Sequence, residues 1–356
     1  MAEELVEIDC ILTTHRYLNF ITVPFFLLNS FGLFVIYFAT PKHLGTFKYY
    51  QLIVQFLGLL NDFFLCSCVL PVPCFPAPSV LYIGLFANLG VSKICQISLQ
   101  TFLLIEFVVA LLGAIFEKGQ AVLPDHHWAK FGRRKALVTE IFWYSHPLFL
   151  LEPIVYAIWA ANDEKVAFNE QIQRFPEITS FLTNVNVWIL EKSVGSVFVA
   201  TLAIYFSLFG AVLFGLLIFT NHTLTQQRNF MSSRTLHLHK KWIRNLNLQL
   251  IVLFVMFLVP DIWFIICFLT ANTKIICYSI FASFFFASHS TVGTIVQLTC
   301  YDTYREFVFR LIRCENPIKK KKKLQPIARI AVAWTKEIPK TNINERSRIS
   351  RSTSVF

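Results

Sequence analysis

"FASHSTVGTIVQLTCYDTYREFVFRLIRC" runs from Phe286 to Cys314, and a block of five lysines, Lys319 to Lys323, comes a few residues later. The first half is almost free of charge. The second half opens on a Tyr-Arg pair, Tyr304 and Arg305, and turns basic. His289 is the one imidazole in the apolar half. An uncharged run that ends in a cationic block suits a helix leaving hydrocarbon at an anionic inner leaflet.

Composition extends that reading to the whole chain. Of its 356 residues, 55% are hydrophobic and 15% charged, and Phe supplies 38. Soluble domains carry about a quarter charged residues. Lipid is therefore the solvent for much of the chain, and the formal charge of +11 is not a nucleic-acid signal. Seven apolar segments succeed one another: Leu18–Ala39, Tyr49–Leu70, Ile94–Phe116, Ala136–Trp159, Val194–Thr220, Leu248–Leu269 and Ile275–Thr299. Each is close to the ~20 residues that carry a helix across ~30 Å of hydrocarbon. Helices are expected because lipid offers no partner to unpaired backbone groups. The first and fifth segments hold no charge, whereas Glu140, His146 and Glu152 interrupt the fourth. "VLYIGLFA" from Val80 is apolar but too short to span. The first ten residues carry Glu3, Glu4, Glu7 and Asp9, where a cleaved signal would want positive charge.

Lys and Arg set the expected orientation. Of the 32, 26 fall in the loops after odd-numbered segments and in the tail, and 6 on the opposite side. The fold class expected is an all-α seven-transmembrane helix bundle with its N-terminus outside and its C-terminus cytosolic. The divisions expected are an extracellular N-terminus (1–17), the bundle (18–299), an amphipathic juxtamembrane helix (300–315) and a basic, disordered cytosolic tail (316–356). Tyr304, Phe307, Val308, Leu311 and Ile312 make the stripe of that short helix, and Cys314 at its end is a lipidation candidate. A plain continuation of the seventh helix is the alternative.

Ionisable groups at bilayer depth are costly, at roughly 2.5–3.5 kcal/mol on insertion scales. Asp62, Glu106, Asp261 and His289 lie at such depths. Three carboxyls and an imidazole with no Lys or Arg among them point to a ligand, ion or switching site in the bundle, or to a network that only holds helices together. Asp62, Glu106 and His289 are the expected intramembrane polar network. If the second and seventh helices are neighbours, Asp62 is the natural partner of His289, with Asp261 next. His146, Glu152, Asp261 and Trp263 are the candidates to line a ligand. Cys10, Cys74 and Cys95 lie on or near the outer side, where one bridge among them is conceivable. No metal or other cofactor is expected: the histidine pairs at 126–127 and 237–239 lack further ligands at metal spacing. Walker, HExxH and GxSxG motifs do not occur, and no enzyme activity is expected. Asn221 opens a glycosylation sequon that the orientation places in the cytosol.

The local motifs resemble nematode serpentine chemoreceptors, in the grouping that contains classes H and I. "TPKHLGTFKYYQLIVQ" looks like that family's first inner loop and second helix. "LLNDFFLCSCVLPVPCFP" is similar to its Asp-containing helix end with a Pro-rich outer edge. Glu117 of "IFEKGQAV" matches an acidic position at the end of helix three. "FPEITSF", "LHKKWIRNLNLQLIVLFVMFLVP" and "SHSTVGTIVQLTCYDTYREFV" resemble the second outer loop, the start of helix six and the end of helix seven. "FKYY" and "PVPCFP" lean toward class I. The DRY and NPxxY patterns of rhodopsin-like receptors are absent, and Thr303 stands where a Pro is usual before the Tyr-Arg pair. The resemblance implies a chemosensory G-protein-coupled receptor in the plasma membrane, with the sensory cilium as its specialised site. Its partners would be a heterotrimeric G protein, a small odorant or soluble chemical and membrane lipid. Glu117, Arg133, Arg134, Lys240, Lys241 and Arg244 would face the G protein. Activation would be a shift in helix packing that pivots near Pro260. The alternative is a multi-pass transporter or channel that uses the buried carboxylates.

Overall fold

A computed structural model describes residues 2–41, 45–74, 77–176, 179–183, 186–270 and 276–314. The first helix, α1 (Ala2–Ala39), starts well before its apolar run. Next come α2 (Phe47–Phe63), strands β1 (Pro71–Pro73) and β2 (Ser79–Tyr82), a single turn α3 (Leu85–Asn88) and the long α4 (Lys93–Val122). The fourth apolar segment is α5 (Arg133–His146) joined to α6 (Glu152–Ala161). After it stand α7 (Glu164–Arg174), α8 (Thr179–Leu182) and strand β3 (Val187–Ile189). The last four helices are α9 (Lys192–Gln226), α10 (Ser233–Thr270), α11 (Ile276–Cys300) and α12 (Asp302–Ile312). Six of the helical runs, α1, α2, α4, α5–α6, α9 and α10, are long and apolar enough to cross a membrane. The 25-residue α11 completes the seven.

Proline explains the break in the fourth segment. Pro147 and Pro153 each remove a backbone donor, and a π-helical turn over Pro147–Leu151 accommodates the gap. A second π turn, Phe64–Val69, ends α2. It stops at Leu70, whose φ of 41° is left-handed, just before Pro71.

The helices pack side by side in a bundle. α2 lies against α1 and α4, α11 lies against α1 and α10, and α9 covers another side of α4. Ile105, Val109, Ala110 and Ala114 of α4 are fully buried. In contrast, α9 and α10 expose Ile204, Leu208, Ile218, Ile251 and Ile265, the stripes that lipid would solvate. Gly58 lets α2 approach α11: a Cβ there would lie 2.6 Å from Ser290 Oγ and 3.2 Å from the Phe107 ring. Small residues at such crossings let helices approach where no hydrophobic force joins them.

One element adds to the helical class. β1, β2 and β3 form an antiparallel sheet in that order, pairing Val72 with Leu81 and Val80 with Trp188. Side chains alternate across it. Val72, Leu81, Val187 and Ile189 face a small core with Ala167, Phe175 and Leu182. Tyr82 and Trp188 face the bundle, among Cys68, Val69, Ala87 and Leu190, with Ile97 and Phe198 alongside. The sheet is thus a plate between a small cap and one end of the helices. Gly84 locks the plate to α2, because its N–H bonds Val69 O at 3.2 Å and a Cβ would meet Cys68 O at 2.3 Å. The "VLYIGLFA" stretch supplies most of β2 and most of α3, and a short continuous apolar run of this length suits a buried strand.

Cys74 and Cys95 are both free, Cys74 buried and Cys95 exposed, so no bridge joins them. Burial pushes the Cys74 thiol up to about 12. The Cys10 side chain lies outside the described residues, as does the expected tail beyond Cys314. Asn221 sits inside α9 with its amide donating to Leu217 O at 2.9 Å. Residues 306–314 belong to a second compact unit and hold an Arg310–Glu306 pair at 3.5 Å.

Candidate functional site

A buried polar network crosses the middle of the bundle. Its hub is Asn29 on α1, which is fully buried. Asn29 Nδ2 donates to Asp62 Oδ2 at 2.9 Å and to Thr291 Oγ1 at 3.1 Å. Its side-chain carbonyl accepts from Gln55 Nε2 at 3.1 Å and Thr294 Oγ1 at 2.5 Å. About one turn further along α11, Gln297 donates to Gln51. Three helices share these bonds because polar side chains in an apolar setting must find partners inside the protein.

His289 is fully buried and lies beside Asp62, with Nδ1 3.6 Å from Oδ1. Its hydrogen bonds go elsewhere. Nδ1 lies 2.6 Å from Phe286 O, one turn back on α11, and Nε2 lies 3.3 Å from Asn61 Nδ2. Phe107 and Phe257 flank the ring, with centroids at 5.1 and 4.9 Å. Asn61 in turn accepts from Gln100 Nε2 at 2.9 Å. The histidine therefore links α11 through α2 to α4, and Asp62 contacts it without being its hydrogen-bond partner. Asp62 Oδ1 has no hydrogen-bond partner among the described residues.

Glu106 faces a different set. It is buried, and its Oε1 has no hydrogen bond among the described residues. It lies within electrostatic reach of Tyr144 and Tyr205. His146 bonds Tyr205 OH and stacks on Phe209 at 5.1 Å, while its Nδ1 meets Trp143 O at 2.5 Å. Glu152 lies just past the π turn, within reach of Ser98. The structure thus draws Glu106 and His146 together on the α4, α5 and α9 side, away from Asp62 and His289. Trp263 is half-buried on α10, with its indole N–H unpartnered among the described residues. The side chain of Asp261 lies outside the described residues.

The end opposite the sheet holds a second cluster. Lys118 is buried with its ammonium 3.6 Å from the Phe47 ring centre and 5.3 Å from Trp242. Trp242 packs on Tyr301 at 4.6 Å. Cation–π contact from α2 and α10 offsets part of the desolvation of that charge. Lys241 pairs with Asp302, and Asn245 donates to Cys300 O at 3.0 Å. Thr40 and Tyr304 share a bond of 3.0 Å. α11 ends at Cys300 and α12 begins at Asp302, so the tail-side helix is distinct from α11. The Lys241 hydrogen bond, aided by the charges of Lys241, Arg305 and Arg244, holds the Asp302 carboxyl below its usual range. Glu117 accepts from Thr46. Arg133, Arg134, Lys240 and Arg244 are exposed. Cys314 is exposed and free.

Asn29, Asn61, Gln55 and Gln100 were not among the residues the sequence singled out. They carry no charge, so apolar runs absorb them. Amides recurring inside α2 and α4 were the available signal.

Seven helices joined by a polar core, with a loop sheet at one end and a short helix after the seventh, define a seven-transmembrane receptor. The chain matches the family model described as "Serpentine type 7TM GPCR chemoreceptor Srh" over residues 8–314, and belongs to that family. No curated protein matches the sequence. The family is the class H one, which corrects the lean toward class I. The segments behind that lean serve packing: Phe47 seats on Trp242, and Pro71 to Pro73 form β1.

Proposed function

We propose that this chain is a chemosensory receptor of the plasma membrane, including the sensory cilium. An external small chemical binds between helices at the sheet end, and a heterotrimeric G protein is engaged at the other. The carrying observation is the set of buried hydrogen bonds that ties α1, α2, α4 and α11. A helix that shifts must exchange those bonds as a set, which suits a two-state element. His146, Glu152, Asp261 and Trp263 are proposed to line the ligand site. Glu117, Arg133, Arg134, Lys240, Lys241 and Arg244 are proposed at the G-protein face, and Cys314 as a lipid anchor. The rival, a cation path along buried carboxylates, is separated by one experiment. Ligand-evoked G-protein activation and ligand-evoked ion flux are measured in the same cells. Flux without activation overturns the receptor reading.

Orientation is tested with the molecule's own thiols. Cys95, at the start of α4, and Cys314, just after α12, are both exposed. An impermeant thiol reagent on intact cells, with hydroxylamine present to strip any thioester, is expected to label Cys95 and spare Cys314. Permeabilisation should then expose Cys314. The reverse pattern would turn the receptor over.

Neutralising Arg133, Arg134, Lys240 and Arg244 together is expected to lower G-protein coupling while ligand affinity holds. Equal loss of both at normal surface expression sinks the assignment. Lys241→Ala should behave differently. It leaves Asp302 with Arg305 alone, at 3.1 Å on the other carboxylate oxygen, and is expected to raise basal signalling. Because the Asp302 carboxyl is held low, that ion pair stays charged above the ordinary carboxylate range and is lost only as pH falls through the depressed value. Basal signalling should therefore be flat between about pH 6 and pH 8 for any contribution from this pair.

A further inference from the structure

Two buried carboxamide oxygens on one face of α4 point to the chemistry of the ligand; the inference rests on the receptor reading. The direction of the bonds around His289 is set at one end. Phe286 O is a backbone carbonyl and can only accept, so His289 Nδ1 carries the hydrogen at 2.6 Å. Neutral Nε2 then accepts from the Asn61 amide at 3.3 Å. Asn61 Oδ1 accepts in turn from Gln100 Nε2 at 2.9 Å. This leaves Gln100 Oε1 as an acceptor, with no partner among the described residues. Gln96 repeats the pattern independently. Its Nε2 donates to Val91 O at 2.8 Å, which fixes Oε1 as an acceptor, again unpartnered among the described residues.

Both side chains are more than nine-tenths buried, at 2% and 7% exposure for Gln96 and Gln100. They sit one helical turn apart, so their Cβ atoms are about 5–6 Å apart on the same face. Ile97 between them packs under the sheet, at the end where the ligand is proposed to enter. The Val91 carbonyl rules out an amide flip at Gln96, and the Phe286 carbonyl, acting through a neutral His289, rules it out at Asn61 and Gln100. A buried acceptor costs free energy until a donor reaches it.

We propose that Gln96 and Gln100 form the polar end of the ligand site and that it takes molecules bearing an O–H or N–H donor, alcohols and amines. Ketones, esters, ethers and carboxylates present only lone pairs to those oxygens and are rejected. A site built around a hydrogen bond discriminates strongly against an analogue lacking the matching group. His146, Glu152 and Trp263 would then contact other parts of the molecule.

The test is direct binding to the full-length receptor in lipid nanodiscs, read as thermal stabilisation. The probes are matched alcohols, amines, methyl ethers, ketones and carboxylates on linear, branched and aromatic skeletons. Stabilising compounds are expected among the alcohols and amines. Gln96→Met and Gln100→Met should each weaken them at least about tenfold. Gln96→Met is the safer variant, since the bond it removes is local to Val91, whereas Gln100→Met also frees Asn61. Alcohols binding without amines would assign a neutral hydroxyl, and amines without alcohols an ammonium; either supports the site. Ordered water bridging the two oxygens is the competing occupant. It predicts no preference between classes and unchanged affinity in Gln96→Met, and that result overturns the proposal. So does a panel in which no alcohol or amine binds. Binding with the predicted preference but no G-protein response supports this site and overturns the signalling reading instead.

Discussion

Replacing Asn29 with leucine is expected to lower the stability of the purified receptor by about 3 kcal/mol, enough to remove most of it from the cell surface. The change leaves the Asp62 carboxyl without its 2.9 Å donor, while its other oxygen is already unpartnered among the described residues. It also removes the side-chain carbonyl to which Gln55 and Thr294 both donate, leaving Gln55 on Thr294 Oγ1 at 2.7 Å and Thr294 on Ser290 O at 3.0 Å. Single interhelical hydrogen bonds in membranes average only ~0.6 kcal/mol, because the unfolded chain in lipid finds other partners. Five bonds centred on one side chain place Asn29 above that average, although Thr291 Oγ1 still donates to Asp62 Oδ2 at 3.3 Å. Asn29→Leu combined with Asp62→Leu should cost less than the sum of the two single changes, since the double variant strands no carboxyl. Thermal unfolding of the three variants in one detergent measures this. Strict additivity would mean that Asp62 does not depend on Asn29.

Trp188→Ala should cost about 3–5 kcal/mol and unseat the sheet. Trp188 is the largest fully buried side chain of the plate, and it meets Phe198 of α9 edge-on at 5.7 Å. Removing it opens a cavity between the plate and the bundle. Its indole N–H has no partner among the described residues, so Trp188→Phe removes that cost while keeping most of the ring. Phe should therefore be mild where Ala is severe. The readouts are thermal stability and proteolysis within residues 186–191. Equal losses for Phe and Ala would show that a single ring does not fill the site and that the unpartnered N–H is not a cost.

The seven helices could be read from the chain because bilayer thickness is a one-dimensional constraint. An apolar run of the right length between polar ends suffices, whatever it packs against. The break of the fourth segment comes from Pro147 and Pro153, which remove donors wherever they stand. The family could be read from ordered local motifs for the same reason. Asp62 and His289 were conspicuous because they carry ionisable groups in oil.

Their partners were not conspicuous. The histidine bonds Asn61 and not Asp62, the next residue in the chain, because the two lie about 100° apart around α2 and only rotation about that helix decides which meets α11. Hydropathy does not record that rotation. β3 lies far along the chain from β2, and nothing local to Val187–Ile189 names its partner. Gln96, Gln100 and Asn29 look like tolerated amides in apolar runs until the neighbouring helices are in place. Burial in lipid is a property of each segment by itself. A satisfied or unsatisfied hydrogen bond is a property of two segments at once, and only the tertiary structure brings them together.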